Sequence, residues 1–199
     1  MRIGIRTAVL LLAALAVLPA AFAQGKSTDD RALQLYAFGG ATGTYTGLGN
    51  GRNFGVTAGV DVGTHTYFGV LPTLEVRGTY PFDKGGVDSL KNILAGLKVE
   101  KHYGPVHPYV DILFGRGQIA YQGTGFLSPD GTTLYQQTNS NIFSPGVGLD
   151  FDISPTLAIK ADFQLQDYNV PVTTDGHIYA KPITIGVVYR FGYNQRHPD

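Results

Sequence analysis

Apolar and polar residues alternate in seven segments of this 199-residue chain, and that pattern constrains the fold more than any other feature. Successive side chains of a β-strand point to opposite faces, so each segment predicts a strand with one apolar face. The segments are residues 53–63, 71–82, 92–101, 106–115, 143–151, 157–166 and 183–191. An eighth candidate, residues 33–42, has no charge on either face, so its strand cannot be oriented from the sequence.

The connections between these segments are alternately short and long. Brief turns are predicted at residues 63–69, 102–105 and 152–156, and longer polar loops at residues 43–52, 81–89, about 117–141 and 167–177. This alternation is typical of an all-β fold, an eight-stranded antiparallel up-and-down barrel. Four loops then share one end of the barrel, the loop end. Three turns and both termini share the other, the turn end.

The charged strand residues share the polar face. They are Asp61, Glu75, Arg77, Lys98, Glu100, Asp111, Asp150, Lys160, Asp162 and Arg190. A lysine or arginine facing the middle of a bilayer costs about 2–4 kcal/mol, so a charge-free opposite face is expected where a barrel meets lipid. The sequence therefore predicts a transmembrane barrel whose lumen holds a ladder of paired charges. We expect Glu75 and Arg77 to meet Lys98 and Glu100 across adjacent strands, and Arg190 to meet Asp162.

The opposite orientation defines the main alternative, a soluble periplasmic ligand-binding barrel with its apolar face inside. The glycines favour the transmembrane orientation, because the interior of an eight-stranded barrel is crowded and most strand glycines lie on the polar face. Leu94, Leu113 and Val188 interrupt that polar face. We expect them to pack among the charges or near a rim.

The N-terminus predicts export. Two arginines precede an apolar run, and Ala21 and Ala23 form a cleavage pattern, so residues 1–23 are expected to be a signal peptide. A polar leader (24–31), the barrel (32–193) and a polar tail (194–199) follow. The chain has no cysteine, which excludes disulfides and thiolate chemistry, and its net charge of zero argues against nucleic-acid binding.

The signal sequence, the strands beginning at residues 54, 71 and 145, and the closing segment ITIGVVYRFG resemble the OmpA-like outer-membrane β-barrel domain family of Gram-negative bacteria. The resemblance implies a barrel in outer-membrane lipid, and we expect a monomer by default. It also implies that the barrel-assembly machinery reads an aromatic residue in the last strand. Phe191, with Tyr189 two residues before it, matches that signal, although a tail follows. The resemblance carries no catalytic motif and implies no cofactor.

The sequence gives little support for a metal site or a catalytic site. His102 and His107 flank one tight turn, but no third ligand is evident and the turn is expected to direct them apart, so a metal site is not predicted. A lipid-modifying enzyme stays an alternative, although the apolar face offers no histidine or acid. The expected function is structural or recognition-related, with a filled lumen and with the loop at about 117–141 as the best candidate to contact an extracellular ligand.

Overall fold

The computed structural model describes residues 34–63 and 66–191, so the predicted signal peptide, leader and tail lie outside the described residues. The strands are β1 Gln34–Tyr45, β2 Arg52–Gly63, β3 Val70–Asp83, β4 Asp88–Lys101, β5 Val106–Tyr121, β6 Phe126–Leu127, β7 Leu134–Tyr135, β8 Gln137–Asp152, β9 Leu157–Gln164, β10 Gln166–Asn169 and β11 His177–Phe191. Within those two ranges, no helix is long and apolar enough to cross a membrane.

The strands close into one antiparallel barrel. Along the chain, each barrel strand pairs with the barrel strand that follows it, so β5 pairs with β8. β1 also pairs with β11, from Leu35 opposite Phe191 to Tyr45 opposite Lys181. β9 and β10 act as a single barrel strand interrupted at Leu165, while β6 and β7 form a small separate hairpin between β5 and β8. The predicted eight-stranded up-and-down barrel is therefore confirmed.

The two faces of the barrel carry opposite kinds of residue. Valine, leucine, isoleucine and phenylalanine side chains cover its outside, and Leu74, Ile93 and Ile185 are among the most exposed. The alternating positions point inward and are buried, including Asp61, Lys98 and most other strand charges. The apolar face thus lies outside, which overturns the soluble alternative, since that fold needs those residues inside.

The first strand has the same orientation as the others. Tyr36, Phe38, Thr42 and Thr44 are buried, and Ala37, Gly39, Ala41 and Gly43 alternate with this set on the outer face. Phe38 fits inside because Gly59 lies across from it on β2, where an added Cβ would come within 2.5 Å of the Phe38 ring. The lumen therefore contains aromatic rings as well as charges, a feature that the uncharged β1 sequence did not indicate.

The strands are longer than the roughly ten residues that the alternating segments predict. β5 and β8 each have 16 residues, and at about 3.3 Å per residue and a tilt near 45° they rise about 37 Å, more than the apolar band of about 25 Å. Both ends of the loop predicted at about 117–141 are consequently strand, residues 117–121 in β5 and 137–141 in β8. The connection itself is residues 122–136, which includes the β6–β7 hairpin.

Candidate functional site

Arg77 on β3 is the centre of one group of buried charges. Its guanidinium contacts the Glu75 carboxylate, lies 2.6 Å (Nη1) from Asp162 Oδ1, and lies 3.5 Å (Nη2) from Asp111 Oδ2. Tyr109 donates a 2.7 Å hydrogen bond to Asp162 Oδ2. One arginine therefore pairs with carboxylates from three strands, and it ties β3 to β5 and β9 across the lumen.

Two lysines form the second group, nearer the turn end. Lys98 Nζ lies 2.9 Å from Asp61, 3.1 Å from Glu100 and 3.4 Å from Asp150. Lys160 Nζ lies 3.5 Å from Asp150 and 4.0 Å from the centre of the Tyr109 ring, whose face attracts the cation.

The ten predicted residues thus all face the lumen. Nine are buried and Arg190 is 11% exposed; we call these nine the charge network.

Two expected pairings differ in detail. Arg190 pairs with Asp152 at 2.5 Å and not with Asp162, because the strand register puts Asp162 opposite Thr184, six residues away along β11. Glu75 and Arg77 pair with each other but not with Lys98 and Glu100, since Arg77 reaches across the lumen to Asp162. The stagger of the strands therefore decides which charges meet.

The end of β11 carries the two aromatic residues that resemble an assembly signal. Tyr189 and Phe191 both face outward at the turn end, with ring centres 4.7 Å apart and planes at 77°. Their edge-to-face contact is a favourable aromatic geometry. The side chains are thus presented to lipid and not to the lumen.

The loop half of the lumen has the opposite character. Its buried apolar residues form what we call the apolar cluster: Leu90, Leu94, Leu113, Ile119, Tyr121, Ile142, Tyr168, Val170, Ile178 and Ala180. Leu94 and Leu113, which were expected among charges or near a rim, pack here with other apolar residues. Val188 lies in a smaller group with Tyr36, Phe38, Leu71 and Ala158. The alternation of apolar and polar residues does not predict the apolar cluster.

Side chains fill the lumen in both the turn half and the loop half. At the turn end, the space lined by Tyr36, Lys98, Asp150 and Arg190 has no room for a water molecule. At the loop end, Leu48, Phe126, Tyr135 and Val172 pack onto the apolar cluster from the loops. Side chains thus obstruct a water path at both ends.

The β6–β7 hairpin projects beyond the apolar cluster. Ser128 and Thr132 both hydrogen-bond the Asp130 carboxylate, which holds the pKa of Asp130 below its usual range, and Gly131 takes the left-handed conformation (φ +70°) that the tight turn needs. Leu127 and Leu134 are exposed on the stem. The tip is therefore an ordered turn with an exposed apolar pair beneath it.

A histidine and an acid do lie on the outside of the barrel, contrary to expectation. His177 Nδ1 is 2.8 Å from Asp167 Oδ1 at the start of β11, close to the loop end. The sequence pattern missed them because it marks a loop there. Among the described residues, no serine or threonine hydroxyl hydrogen-bonds the His177 ring, so the pair lacks the nucleophile of a catalytic triad.

The short β4–β5 turn brings three potential metal ligands together. Glu100, His102 and His107 each offer one ligand atom, and the three atoms lie within 4.8 Å of one another. The rings of His102 and His107 are 4.3 Å apart. The expectation that the turn would direct the histidines apart is therefore wrong, and the third ligand is a member of the charge network.

Comparison with known proteins agrees with this architecture. The outer membrane protein beta-barrel domain model matches residues 7–191. The crystal structure of Neisserial surface protein A is 13% identical, covers 82% of this chain and 100% of its own, and superposes with a TM-score of 0.53, which shows a shared fold. The Yersinia pestis attachment invasion locus protein Ail is 12% identical over 80% of this chain and 97% of its own, with a TM-score of 0.49. No curated protein sequence matches the chain.

Proposed function

The chain belongs to the outer membrane protein beta-barrel domain family, and from that premise we propose that it is a non-conducting surface scaffold whose β6–β7 hairpin recognises an extracellular ligand. The apolar cluster carries this proposal. It fills the loop half of the lumen and fixes the base of the hairpin through Phe126 and Tyr135. A barrel sealed in this way offers its outer surface and loops, and not a channel, for function.

The hairpin is the best recognition element for three reasons. It extends from the two longest barrel strands, β5 and β8. Its stem exposes Leu127 and Leu134, and exposed apolar side chains on an ordered support are a common basis for protein contacts. Its turn is fixed by hydrogen bonds to Asp130, so little conformational entropy is lost on binding.

Single cysteines test the topology, because the chain has none of its own. Ser128→Cys lies in the hairpin tip, and Phe68→Cys replaces a fully exposed side chain in the β2–β3 turn. On intact cells, a membrane-impermeant maleimide is expected to label Cys at 128 but not at 68. Labelling at 68 alone would reverse the barrel and contradict a surface role for the hairpin.

The same variant tests recognition. A photocrosslinker attached at Ser128→Cys on intact cells is expected to form a discrete adduct, while one attached at Asn139→Cys, which faces outward on β8 below the tip, is expected to form none. Equal adducts at both positions would indicate nonspecific contact, and no adduct at 128 would argue against recognition by the tip.

Conductance tests the sealed lumen. Purified protein in planar bilayers is expected to show no single-channel steps, because charged and apolar side chains fill the interior in succession. Stable steps in a folded sample would contradict the non-conducting scaffold and favour a pore.

We propose a non-enzymatic role because, within residues 34–63 and 66–191, no hydroxyl group hydrogen-bonds the ring of His177; the nearby Thr173 hydroxyl donates to the His177 backbone carbonyl. The alternative is a lipid-modifying enzyme, and the outward position of this pair near the loop end is the one observation that favours it. Mass spectrometry of lipopolysaccharide from cells expressing the wild type or His177→Ala would decide. A change in acylation that requires His177 would support the enzyme.

A further inference from the structure

We propose that Glu100, His102 and His107 form a binding site for a divalent transition-metal ion of the zinc class at the turn end of the lumen. The site goes beyond the scaffold role and does not depend on it. Two imidazoles and one carboxylate are a ligand set that zinc uses in proteins, with a fourth position left for water. The geometry, the surrounding hydrogen-bonding groups and the local charge support the assignment.

The strand register explains why the three side chains meet. Tyr103 and Val106 exchange backbone hydrogen bonds, so Gly104 and Pro105 make a two-residue turn, with Gly104 in the left-handed region at φ +59°. Continuing that register puts His102 directly opposite His107. Glu100 precedes His102 by two residues, so it shares the same inward face.

The distances suit one small ion. Glu100 Oε1 lies 3.1 Å from His102 Nε2 and 3.2 Å from His107 Nδ1. Ligand atoms about 2.1 Å from a tetrahedral zinc ion lie about 3.4 Å apart, so small side-chain adjustments would admit the metal. His102 Nε2 is shielded from solvent and makes no hydrogen bond of acceptable geometry despite this proximity. Its lone pair is therefore available as a ligand.

A carboxylate lies behind one of the ligands, as is common at metal sites. His107 Nε2 lies 3.0 Å from Asp152 Oδ2, and Asp152 is in turn held by Arg190. Metal-binding histidines usually donate their second N–H to a carboxylate, which fixes the tautomer and the ring. His107 Nε2 makes no hydrogen bond of acceptable geometry as it stands, and Asp152 is close enough for a small rotation of the ring to form one. Lys98 holds the other carboxylate oxygen of Glu100 at 3.1 Å, leaving Oε1 directed at the histidines.

The lumen also has an excess of negative charge. The carboxylates in its ion pairs are Asp61, Glu75, Glu100, Asp111, Asp150, Asp152 and Asp162, and its bases are Arg77, Lys98, Lys160 and Arg190. Seven carboxylates against four bases leave three negative charges when the histidines are neutral. A divalent cation would offset two of them. The side chain of His102 is 34% exposed, so an ion could enter from the turn end.

Zinc titration of the refolded full chain in detergent micelles tests the site, after a chelator has removed adventitious metal. We expect one Zn²⁺ per chain in the wild type. His102→Ala removes a ligand from a partly exposed turn and should weaken binding by more than about 100-fold. Asp152→Asn removes only the supporting carboxylate and should weaken it by about 10- to 100-fold. His177→Ala, a histidine at the opposite end of the barrel, should bind as the wild type does.

Two results would overturn the proposal. One is a folded wild-type barrel that takes up no zinc, with folding checked by the heat-modifiable gel shift. The other is equal zinc affinity in the wild type and folded His102→Ala. Co²⁺ provides an independent check, because its visible absorption should report a four-coordinate site in the wild type and in His177→Ala but not in His102→Ala.

Discussion

The two halves of the barrel interior are built from opposite kinds of side chain. The turn half holds the charge network, in which Arg77, Lys98 and Lys160 neutralise acids from neighbouring strands. The loop half holds the apolar cluster, in which Leu113 and Ile119 are fully buried. Both halves belong to the same continuous strands, so strand pairing alone cannot explain the difference.

The environment outside the barrel explains it. On β5 the outward residues are apolar up to Phe114, and Arg116 and Gln118 follow. On β8 the same boundary separates Phe143 from Asn141, which accepts a hydrogen bond from Arg116. Below this boundary, the apolar residues face lipid and the polar residues face the lumen. Above it, polar residues face water and the apolar cluster packs inside, beside hydrogen-bonded polar residues such as Thr46, Asn53 and Asp88.

Removing Arg77 should destabilise the turn half of the barrel interior. In Arg77→Met, the buried carboxylates of Glu75, Asp111 and Asp162 lose their shared cation, and breaking a buried pair costs about 3–5 kcal/mol. Urea unfolding should show that loss. The control, Arg116→Met, removes an exposed arginine and should change stability by less than about 0.5 kcal/mol. Equal stability of the two variants would show that the charge network does not stabilise the barrel.

Removing a leucine should weaken the loop half through a different mechanism. Leu113→Ala leaves a cavity in the apolar cluster and should cost about 3 kcal/mol in urea unfolding. Leu127→Ala, on the exposed hairpin stem, is the matched control and should cost less than about 0.5 kcal/mol. A negligible effect at 113 would mean that the loop half is loosely packed and does not act as a core.

A lysine scan along the outside of β5 should locate the lipid boundary. Ile112→Lys places a charge in the apolar band, and Gln118→Lys places one above it. The first is expected to be less stable than the second by about 2 kcal/mol when both are unfolded from lipid vesicles, because the cost of lysine falls toward the interface. If the two substitutions cost the same, the boundary does not lie between these positions.

The sequence pattern predicts the strands where the barrel crosses lipid, but it does not predict their continuation above the lipid boundary. Strict alternation orients β2 and β9, because Asp61 on β2 and Lys160 and Asp162 on β9 lie on the face opposite the branched apolar residues. At the top of β5 the alternation continues in reversed phase, with Gln118 outside and Ile119 inside. A search for a continuous apolar face ends there, so this segment resembles a loop.

The pairing partners of individual charged residues are harder to predict from the sequence than the face on which each residue lies. That Asp61 and Lys98 face the lumen follows from a period of two. That Arg190 meets Asp152 follows from the strand stagger, which no local pattern contains. The pairing of His102 with His107 was accessible in principle. A glycine–proline turn of two residues fixes their register, so counting back from it places both on the inner face.

The hairpin tip marks the limit of the loop half and should contribute least to stability. Replacing residues 128–133 with Asn-Gly keeps the pairing of Leu127 with Leu134 and supplies a tight turn that suits a two-residue connection. Phe126 and Tyr135, which contact the apolar cluster, are unchanged. Shortening a loop changes its closure entropy only slowly with length, so urea unfolding should move by less than about 1 kcal/mol. This variant removes the tip of the proposed recognition element and leaves the core intact. A loss of 2 kcal/mol or more would therefore show that the tip is part of the core and would weaken the distinction between scaffold and recognition element.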